Sequence, residues 1–237
     1  MPGLRTLHVF TSGDSPFARA REAGKLVLGE GSHEGYLLSA LLRLLNKRDI
    51  QPAAYGGKNR LQEALEYLVA GPPSPGAGDL RSVGITRDAN GDFHAAWQAV
   101  LSALRNANEA LAKASADAPL YSTPDEPGII ASDKAVRVGV FILPDNQSPG
   151  MMETLCVRSV EALPQMDCVK SFFACLGTIE GWPQPKKYDK ALAHAFLATC
   201  ERPDIHPGLA CGDDKHDPDW QFDHEAFEGL KAFIGKL

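Results

Sequence analysis

The stretch KLVLGEG at residues 25–31 sets the pattern on which the fold of this chain depends. A short, mostly apolar run at residues 25–28 leads directly to Glu30, an acidic side chain between two glycines. The same order recurs where VGITRD covers residues 83–88 and VGVFILPD covers residues 138–145. Short continuous apolar runs are typical of strands buried on both faces, as in parallel sheets. Such sheets bind ligands at the carboxyl ends of their strands, so the three acidic ends are expected to meet in one crevice.

Helical periodicity alternates with these apolar runs along the chain. Strands are predicted at residues 25–28, 50–54, 80–86 and 136–143. Helices are predicted around residues 37–45, 61–68, 93–111, 153–163, 169–176, 187–198 and 224–236. The alternation predicts an α/β, Rossmann-like fold with a mostly parallel four-stranded sheet, helices on both faces and a C-terminal helical region.

The same pattern divides the chain into three parts, an N-terminal extension at residues 1–22, an α/β domain at residues 23–163 and a helical region at residues 164–237 packed on that domain. About twenty polar residues follow Ala114, a length that indicates a lid, an insertion or a mobile loop. Ser148 and Pro149 have the residue types of a helix N-cap and a first helical residue.

The composition is that of an ordinary globular protein with enough chain for a sizeable core. The 237 residues are 44% hydrophobic and 23% charged. The net charge of −6 argues against a broad basic nucleic-acid groove, although a bound divalent cation would invert the local charge. No apolar run approaches the roughly 18–20 residues that span a bilayer, so no membrane partner is expected.

The cysteines favour a reducing, cytoplasmic setting. There are five, an odd number, and none has the CxxC spacing of a metal or redox motif. Cys168 and Cys175 lie seven residues apart in a helical pattern and are predicted to be core residues. The apolar run at residues 7–10 is too short for the hydrophobic region of a signal peptide.

Two glutamates follow the first strand. Glu30 lies between glycines, which let the backbone turn sharply and let a ligand approach closely. Glu34 falls on the first turn of the next helix and would lie at the same end of the sheet. An acid in a first helical turn is also favoured by the helix dipole alone, so Glu34 has a purely structural alternative.

Further oxygen donors follow the third and fourth strands. Asp88 comes directly after the third strand, with Asn90 and Asp92 close behind, and Asp92 is equally suited to cap the helix at Phe93. Asp145 follows the fourth strand and Glu153 begins the next helix, where an Asx-turn and an exposed helix-start acid are the alternatives. Converging carboxylates repel unless they are protonated or bridged by a cation. All-oxygen ligands suit Mg²⁺ or Mn²⁺, so the sequence predicts a metal-dependent site.

Two basic residues lie near these acids in the sequence. Lys58 follows two glycines and precedes a helix, where exposed backbone amides and a lysine could bind a phosphate. A solvated turn lysine is the plain alternative. Arg87 is adjacent to Asp88 and would either neutralise it or contact a phosphate.

Glu30 within GEG, with Asp88-Ala89-Asn90 after a later strand, resembles the TOPRIM domain of topoisomerases, primases and overcoming-lysogenisation-defect nucleases. More narrowly, the chain is similar to an uncharacterised prokaryotic family related to TOPRIM. The resemblance covers almost everything after Lys25, including YGGKN at residues 55–59 and SPGMME at residues 148–153. It implies a TOPRIM-like fold and bound Mg²⁺. Asn90 departs from the pattern, because TOPRIM domains carry a second aspartate there.

The resemblance also implies roles for individual residues. Glu30 would transfer protons and contact the metal, and Asp88 would hold the metal with Asn90 and with Asp145 or Glu153. The expected function is therefore Mg²⁺-dependent, nuclease-like phosphodiester chemistry on nucleic acid. The alternative is a non-catalytic module that binds a nucleotide or a metal through a degenerate TOPRIM site. The sequence leaves homo-oligomerisation open.

Overall fold

A computed structural model describes residues 24–70, 80–213 and 215–237 of the chain. The predicted N-terminal extension at residues 1–22 lies outside these described residues. The described residues contain a five-stranded sheet whose helices cover both faces, which confirms the α/β class.

Four strands of the sheet are parallel and one edge strand is antiparallel. The strand order is β2-β1-β3-β5-β4. Parallel ladders join β1 to β2, β1 to β3 and β3 to β5, and β4 runs antiparallel to β5. The strands are β1 Lys25–Gly29, β2 Gln51–Ala54, β3 Ser82–Asp88, β4 Ile130–Ala131 and β5 Arg137–Leu143. The parallel arrangement places the carboxyl ends of β1 and β3 side by side.

Seven α-helices in the described residues surround this sheet. They are α1 Ser32–Leu44, α2 Leu61–Ala70, α3 Phe93–Ala114, α4 Met152–Ser159, α5 Pro164–Leu176, α6 Tyr188–Leu197 and α7 Glu228–Lys236. Two short 3₁₀ helices, Leu209–Cys211 and Glu225–Phe227, lie in the C-terminal region. None of the helices in the described ranges is long and apolar enough to cross a bilayer.

Successive side chains of a strand point to opposite faces of the sheet, so each strand contributes to two separate hydrophobic cores. Phe141 and Leu143 of β5 join the core that holds α1 and the helices after residue 151. Val138, Val140 and Ile142 point to the opposite core, which holds α2 and α3. The C-terminal helical region therefore packs directly on one face of the sheet.

The prediction of four strands was wrong, because β4 lies inside the polar stretch that follows Ala114. This stretch packs along the sheet edge, where the buried Tyr121 donates a hydrogen bond from its hydroxyl to the Leu65 carbonyl at 2.7 Å. Asn108 exchanges two side-chain hydrogen bonds with the Tyr121 backbone, each at 2.8 Å. A two-residue strand has too little sequence to show a period, so only its pairing with β5 reveals it.

Two local predictions were also wrong. The helix predicted to begin at Pro149 begins at Met152, because Gly150 adopts φ 144° and pairs its backbone with Asn90. Ser148 is therefore not its N-cap. Cys168 and Cys175 are exposed on α5 and do not lie in the core. The heptad spacing placed them correctly on one helical face, but that face of α5 points to solvent.

Candidate functional site

A crevice opens at the carboxyl ends of β1 and β3, where the first turns of α1, α4 and α6 come together. It is a cavity of about 200 Å³, lined by residues 31–34, Asp88, residues 151–153, Lys187 and Lys190. Ligands of parallel α/β sheets bind at this end of the strands. The lining combines three carboxylates with two lysines.

The turn from β1 into α1 places Glu34 in the lining of the crevice, whereas Glu30, the predicted proton-transfer residue, does not line it. A Cβ atom on Gly29 would lie 2.6 Å from the Glu34 Cβ, so only glycine lets α1 start this close to the strand. Glu34 is 8% exposed and accepts a hydrogen bond from the Gly31 amide at 2.9 Å. Glu30 is half-buried beside it, and its carbonyl accepts from the Gly57 amide at 2.8 Å.

Asp88 ends β3 next to the first turn of α4. Its Oδ1 atom accepts a hydrogen bond from the Met152 amide at 2.9 Å, at the positive end of that helix. Beneath the site, the buried Thr86 hydroxyl donates to the Leu28 carbonyl at 3.1 Å. The buried Tyr55 hydroxyl donates in turn to the Thr86 carbonyl at 3.3 Å. These bonds fix the ends of β1 and β3 relative to each other.

Glu30, Glu34, Asp88 and Glu153 form a carboxylate cluster. Burial raises the pKa of Asp88 well above its ordinary value, and the charges of Glu34, Glu153 and Glu30 raise it further. Burial also raises the pKa of Glu34, against backbone hydrogen bonds that favour its charged form, and Glu30 and Glu153 add to the rise. The cluster therefore attracts protons or cations at neutral pH.

Two lysines of α6, neither of which was predicted as a site residue, contact this cluster. The Lys190 Nζ atom lies 3.2 Å from Oε1 of Glu153, whose side chain is 6% exposed. Lys187 Nζ donates to the Asn90 side-chain oxygen at 3.2 Å. The sequence does carry one signal for them, since lysines at the start of a helix are disfavoured by its dipole unless they have another role.

Asn90 reaches the crevice edge through a fixed backbone. Its φ is 52°, in the left-handed region that asparagine tolerates better than most residues. The Asn90 amide donates to the Gly150 carbonyl at 2.6 Å, and the Gly150 amide donates back at 2.8 Å. This pair ties the end of β3 to the start of α4 and leaves the Asn90 side chain exposed beside Lys187.

Two of the predicted donors are engaged in local structure. Asp92 is the N-cap of α3 and accepts from the Ala95 amide at 2.9 Å. Asp145 accepts from the Ser148 amide at 2.7 Å and pairs with Arg158 at 2.8 Å. Burial raises the pKa of Asp145, but these hydrogen bonds favour its charged form and hold the pKa below its ordinary value. Neither aspartate lines the crevice.

The predicted phosphate-binding residues lie next to the crevice without lining it. Lys58 is exposed in the turn before α2, and its carbonyl accepts from an Arg87 guanidinium nitrogen at 3.2 Å. Burial raises the pKa of Tyr55 well above its ordinary value, Glu30 raises it further, and Arg87 opposes the rise. Arg87 therefore lies close enough to interact electrostatically with Tyr55, whose ring lies beneath the carboxylate cluster.

The carboxylate cluster is not a ready-made metal shell. Within residues 24–70, 80–213 and 215–237, no three His, Cys, Asp or Glu side chains stand in an arrangement that could hold a metal ion. Glu153 is held by Lys190, Asp88 by the Met152 amide and Glu34 by the Gly31 amide. These three carboxylates therefore lie near one another, but each already has a partner within the protein.

Comparison with known proteins places the chain in a family. A family model described as "Protein of unknown function (DUF3226)" matches residues 24–237. The chain belongs to this family. The DUF3226 match begins just before β1 and runs through α7, so it includes both the sheet and the C-terminal helices. No curated protein and no solved structure gave a match.

We predict that Asp88→Asn stabilises this DUF3226 protein at neutral pH. The pKa of Asp88 is higher in the folded protein than in the unfolded chain. Such an acid begins to reduce the stability when the pH rises above its pKa in the unfolded chain, and the loss is complete above its pKa in the folded protein. The amide keeps the oxygen that accepts from Met152. Calorimetry in EDTA should show a gain of about 1 kcal/mol at pH 8, or a Tm rise of about 3 °C.

The same variant should gain less at pH 5, where more of the Asp88 carboxyl is already protonated. Asp92→Asn is the matched control, because asparagine caps a helix as well as aspartate, and it should leave Tm unchanged at both pH values. An Asp88→Asn protein no more stable than wild type at pH 8 would contradict the repulsion described for the cluster.

Proposed function

We propose that the crevice carries out Mg²⁺-dependent, nuclease-like phosphodiester chemistry on nucleic acid, as a TOPRIM-like site. The observation that supports this most is that Glu34, Asp88 and Glu153 line one cavity, with Glu30 outside the lining but within electrostatic range of Glu34 and Asp88. Among the described residues, Lys190 pairs with the Glu153 carboxylate of this cluster. Clustered buried carboxylates are costly, so a fold that retains them favours the binding of a further cation.

The types of donor suit a hard divalent ion, although within the described residues they do not stand in the arrangement of a metal site. All four groups are carboxylates, and Asn90 adds a neutral amide oxygen at the crevice edge, as Mg²⁺ or Mn²⁺ prefers. Asp88 and Glu30 follow neighbouring parallel strands, while Glu34 and Glu153 come from the first turns of α1 and α4. When bound, the ion would polarise a phosphate and lower the pKa of a water molecule.

The remaining chemistry falls to side chains and backbone of this chain. Glu30 is half-buried next to Glu34 and Asp88 and is the proposed group that exchanges a proton with the attacking water or the leaving oxygen. The first turn of α1 at Ser32 and His33 lines the crevice, and a helix N-terminus attracts a phosphate. A protein of net charge −6 would rely on such local positive potential to approach a polyanion.

A second candidate is a non-catalytic module that binds a nucleotide or a metal. Its support is that Lys187 holds Asn90, the residue that replaces the second acid of the TOPRIM pattern, and that the acids are occupied individually. Fewer negative charges at the site lower its affinity for a divalent ion. Such a site would retain binding without turnover.

Calorimetric titration with Mn²⁺ tests the proposal. Wild-type protein is expected to bind, and Asp88→Ala to weaken binding at least about 100-fold, because it removes the carboxylate at the centre of the cluster. Asn90→Asp is expected to strengthen binding about tenfold by adding a charge. If turnover also appears only in Asn90→Asp, the binding module is the native function.

Asp145→Asn serves as the control, since Asp145 has its own partner in Arg158 and lies outside the crevice. It should bind Mn²⁺ as the wild type does. Absence of Mn²⁺ binding in the wild type and in Asn90→Asp, or binding that Asp88→Ala leaves intact, would rule out the proposed metal site.

A further inference from the structure

We propose that a second cavity, beside the edge strand β4, binds an extended segment of a partner protein that carries lysine or arginine side chains. This cavity has a volume of about 710 Å³ and is formed by residues 123–126 and 129–133. It shares no residue with the lining of the crevice. The inference therefore goes beyond the proposed function and does not depend on it.

The cavity is built from the polar stretch between α3 and β5, a length of irregular chain that is uncommon unless it serves a function. Two bonds close its base, since the Ser122 amide donates to the Val136 carbonyl at 2.8 Å and the Lys134 amide donates to the Ser122 hydroxyl oxygen at 3.0 Å. Gly128, with φ 80°, donates from its amide to the Val140 carbonyl at 2.7 Å. These bonds fix the walls in advance, which lowers the entropy lost on binding.

One wall of this cavity is the outer edge of the sheet. β4 is the last strand in the sheet order, and no strand of the described residues pairs with its outer side. Such an edge offers unpaired backbone N–H and C=O groups to an extended segment. Ile129 beside it is 51% exposed, whereas Ile130 packs over Gly139 of β5. The cavity thus presents a backbone available for pairing and an apolar contact, the two features that β-strand addition uses.

The charge of the cavity determines the kind of segment that it accepts. Its lining contains three acids, Asp125, Glu126 and Asp133, and no basic residue. Within the described part of the chain, Asp125 and Glu126 have no basic partner, and Asp133 has the exposed Lys134 at 3.9 Å. These carboxylates attract lysine and arginine and repel phosphate groups. The surface therefore suits a basic protein segment and not the backbone of a nucleic acid.

Basic side chains, rather than a metal ion, are the cations that this cavity suits. No group of acidic or other metal-binding side chains in the described ranges stands where it could hold a metal ion. Ammonium and guanidinium groups need no fixed set of ligands, but each exposed ion pair is weak, so several must act together. An extended segment carries its side chains at intervals of about 3.4 Å, so one segment can bring basic residues to the acids and an apolar residue to Ile129.

Fluorescence anisotropy with a labelled peptide of alternating lysine and valine, four of each, tests the inference at low ionic strength. The wild-type protein is expected to bind this peptide. The double variant Asp125→Asn with Glu126→Gln should bind it about tenfold more weakly, because two of the three charges in the cavity are removed. The same peptide with methylated backbone amides should also bind about tenfold more weakly, because it cannot donate hydrogen bonds to the edge of the sheet.

Glu180→Gln with Glu201→Gln is the matched control, because it removes the same two charges from exposed acids outside the cavity and should leave the affinity unchanged. Equal weakening by both double variants would show attraction to the net charge of −6 alone and would overturn the inference. Spermine, which carries a charge similar to that of the four lysines, should bind more weakly than the peptide. Spermine or methylated peptide that binds as tightly as the unmethylated peptide would overturn strand addition, and so would absence of peptide binding to the wild type.

Discussion

Glu30→Gln is expected to lower the rate of Mg²⁺-dependent phosphodiester cleavage by about 100- to 10,000-fold, the usual contribution of a positioned acid–base residue. Glutamine preserves the size of the side chain and one ligand oxygen but cannot exchange a proton. Glu30 is the member of the cluster that the Gly29–Gly31 turn places at the carboxyl end of β1. The rate of hydrolysis of bis(p-nitrophenyl) phosphate, and of short DNA and RNA strands, measures the effect.

The control for this variant is Glu161→Gln, which changes a surface glutamate paired with Lys170 and should leave the rate unchanged. Mn²⁺ affinity measured on the same samples separates loss of the proton-transfer group from loss of the metal. A Glu30→Gln variant that cleaves as fast as the wild type would contradict the role assigned to Glu30. A wild-type protein that shows no cleavage would favour the non-catalytic binding module.

Phe233→Ala is expected to destabilise the whole chain by about 3–5 kcal/mol, the usual cost of removing a buried phenylalanine. Phe233 of α7 is 2% exposed and its ring lies 5.6 Å from that of Phe141 on β5. A Cβ atom on Gly139 would meet the same ring at 2.7 Å, so α7 rests directly on the strand. Because sheet and C-terminal helices share this core, urea unfolding should remain a single transition.

Phe172→Ala offers the matched control, because Phe172 lies 54% exposed on α5. Its substitution should change the free energy of unfolding by less than about 0.5 kcal/mol. Two separate unfolding transitions in the wild type, or a loss below about 1 kcal/mol in Phe233→Ala, would show that the C-terminal region is an independent unit.

The main strands and helices were predictable from the amino-acid sequence, because their signals are local. Apolar runs predicted β1, β2, β3 and β5, and the helical periods predicted α1 to α7, with errors confined to element ends. It also placed Glu30 and Asp88 after strands at the same edge of a parallel sheet, whereas the direct pairing of β1 with β3 was not predicted. The cap at Asp92 was recognisable as an alternative because capping depends on the next three residues.

The set of acids that share the crevice depends on long-range packing. Glu34 and Glu153 line it, whereas Asp145, in the turn after β5, pairs with Arg158. No local pattern distinguishes an acid that lines the crevice from one that is held by a neighbouring basic residue. The start of α4 depended on the pairing of Gly150 with Asn90, sixty residues earlier in the chain. The edge strand β4 depended in the same way on its pairing with β5.

The two lysines are the clearest case of information that the sequence does not display. Lys187 contacts Asn90 across 97 positions, and it does so because α6 packs against α4 in a core shared with the sheet. Periodicity and caps specify how a segment folds on itself, over a few residues. The partner of a charged side chain depends instead on how distant elements pack, which is a property of the complete core.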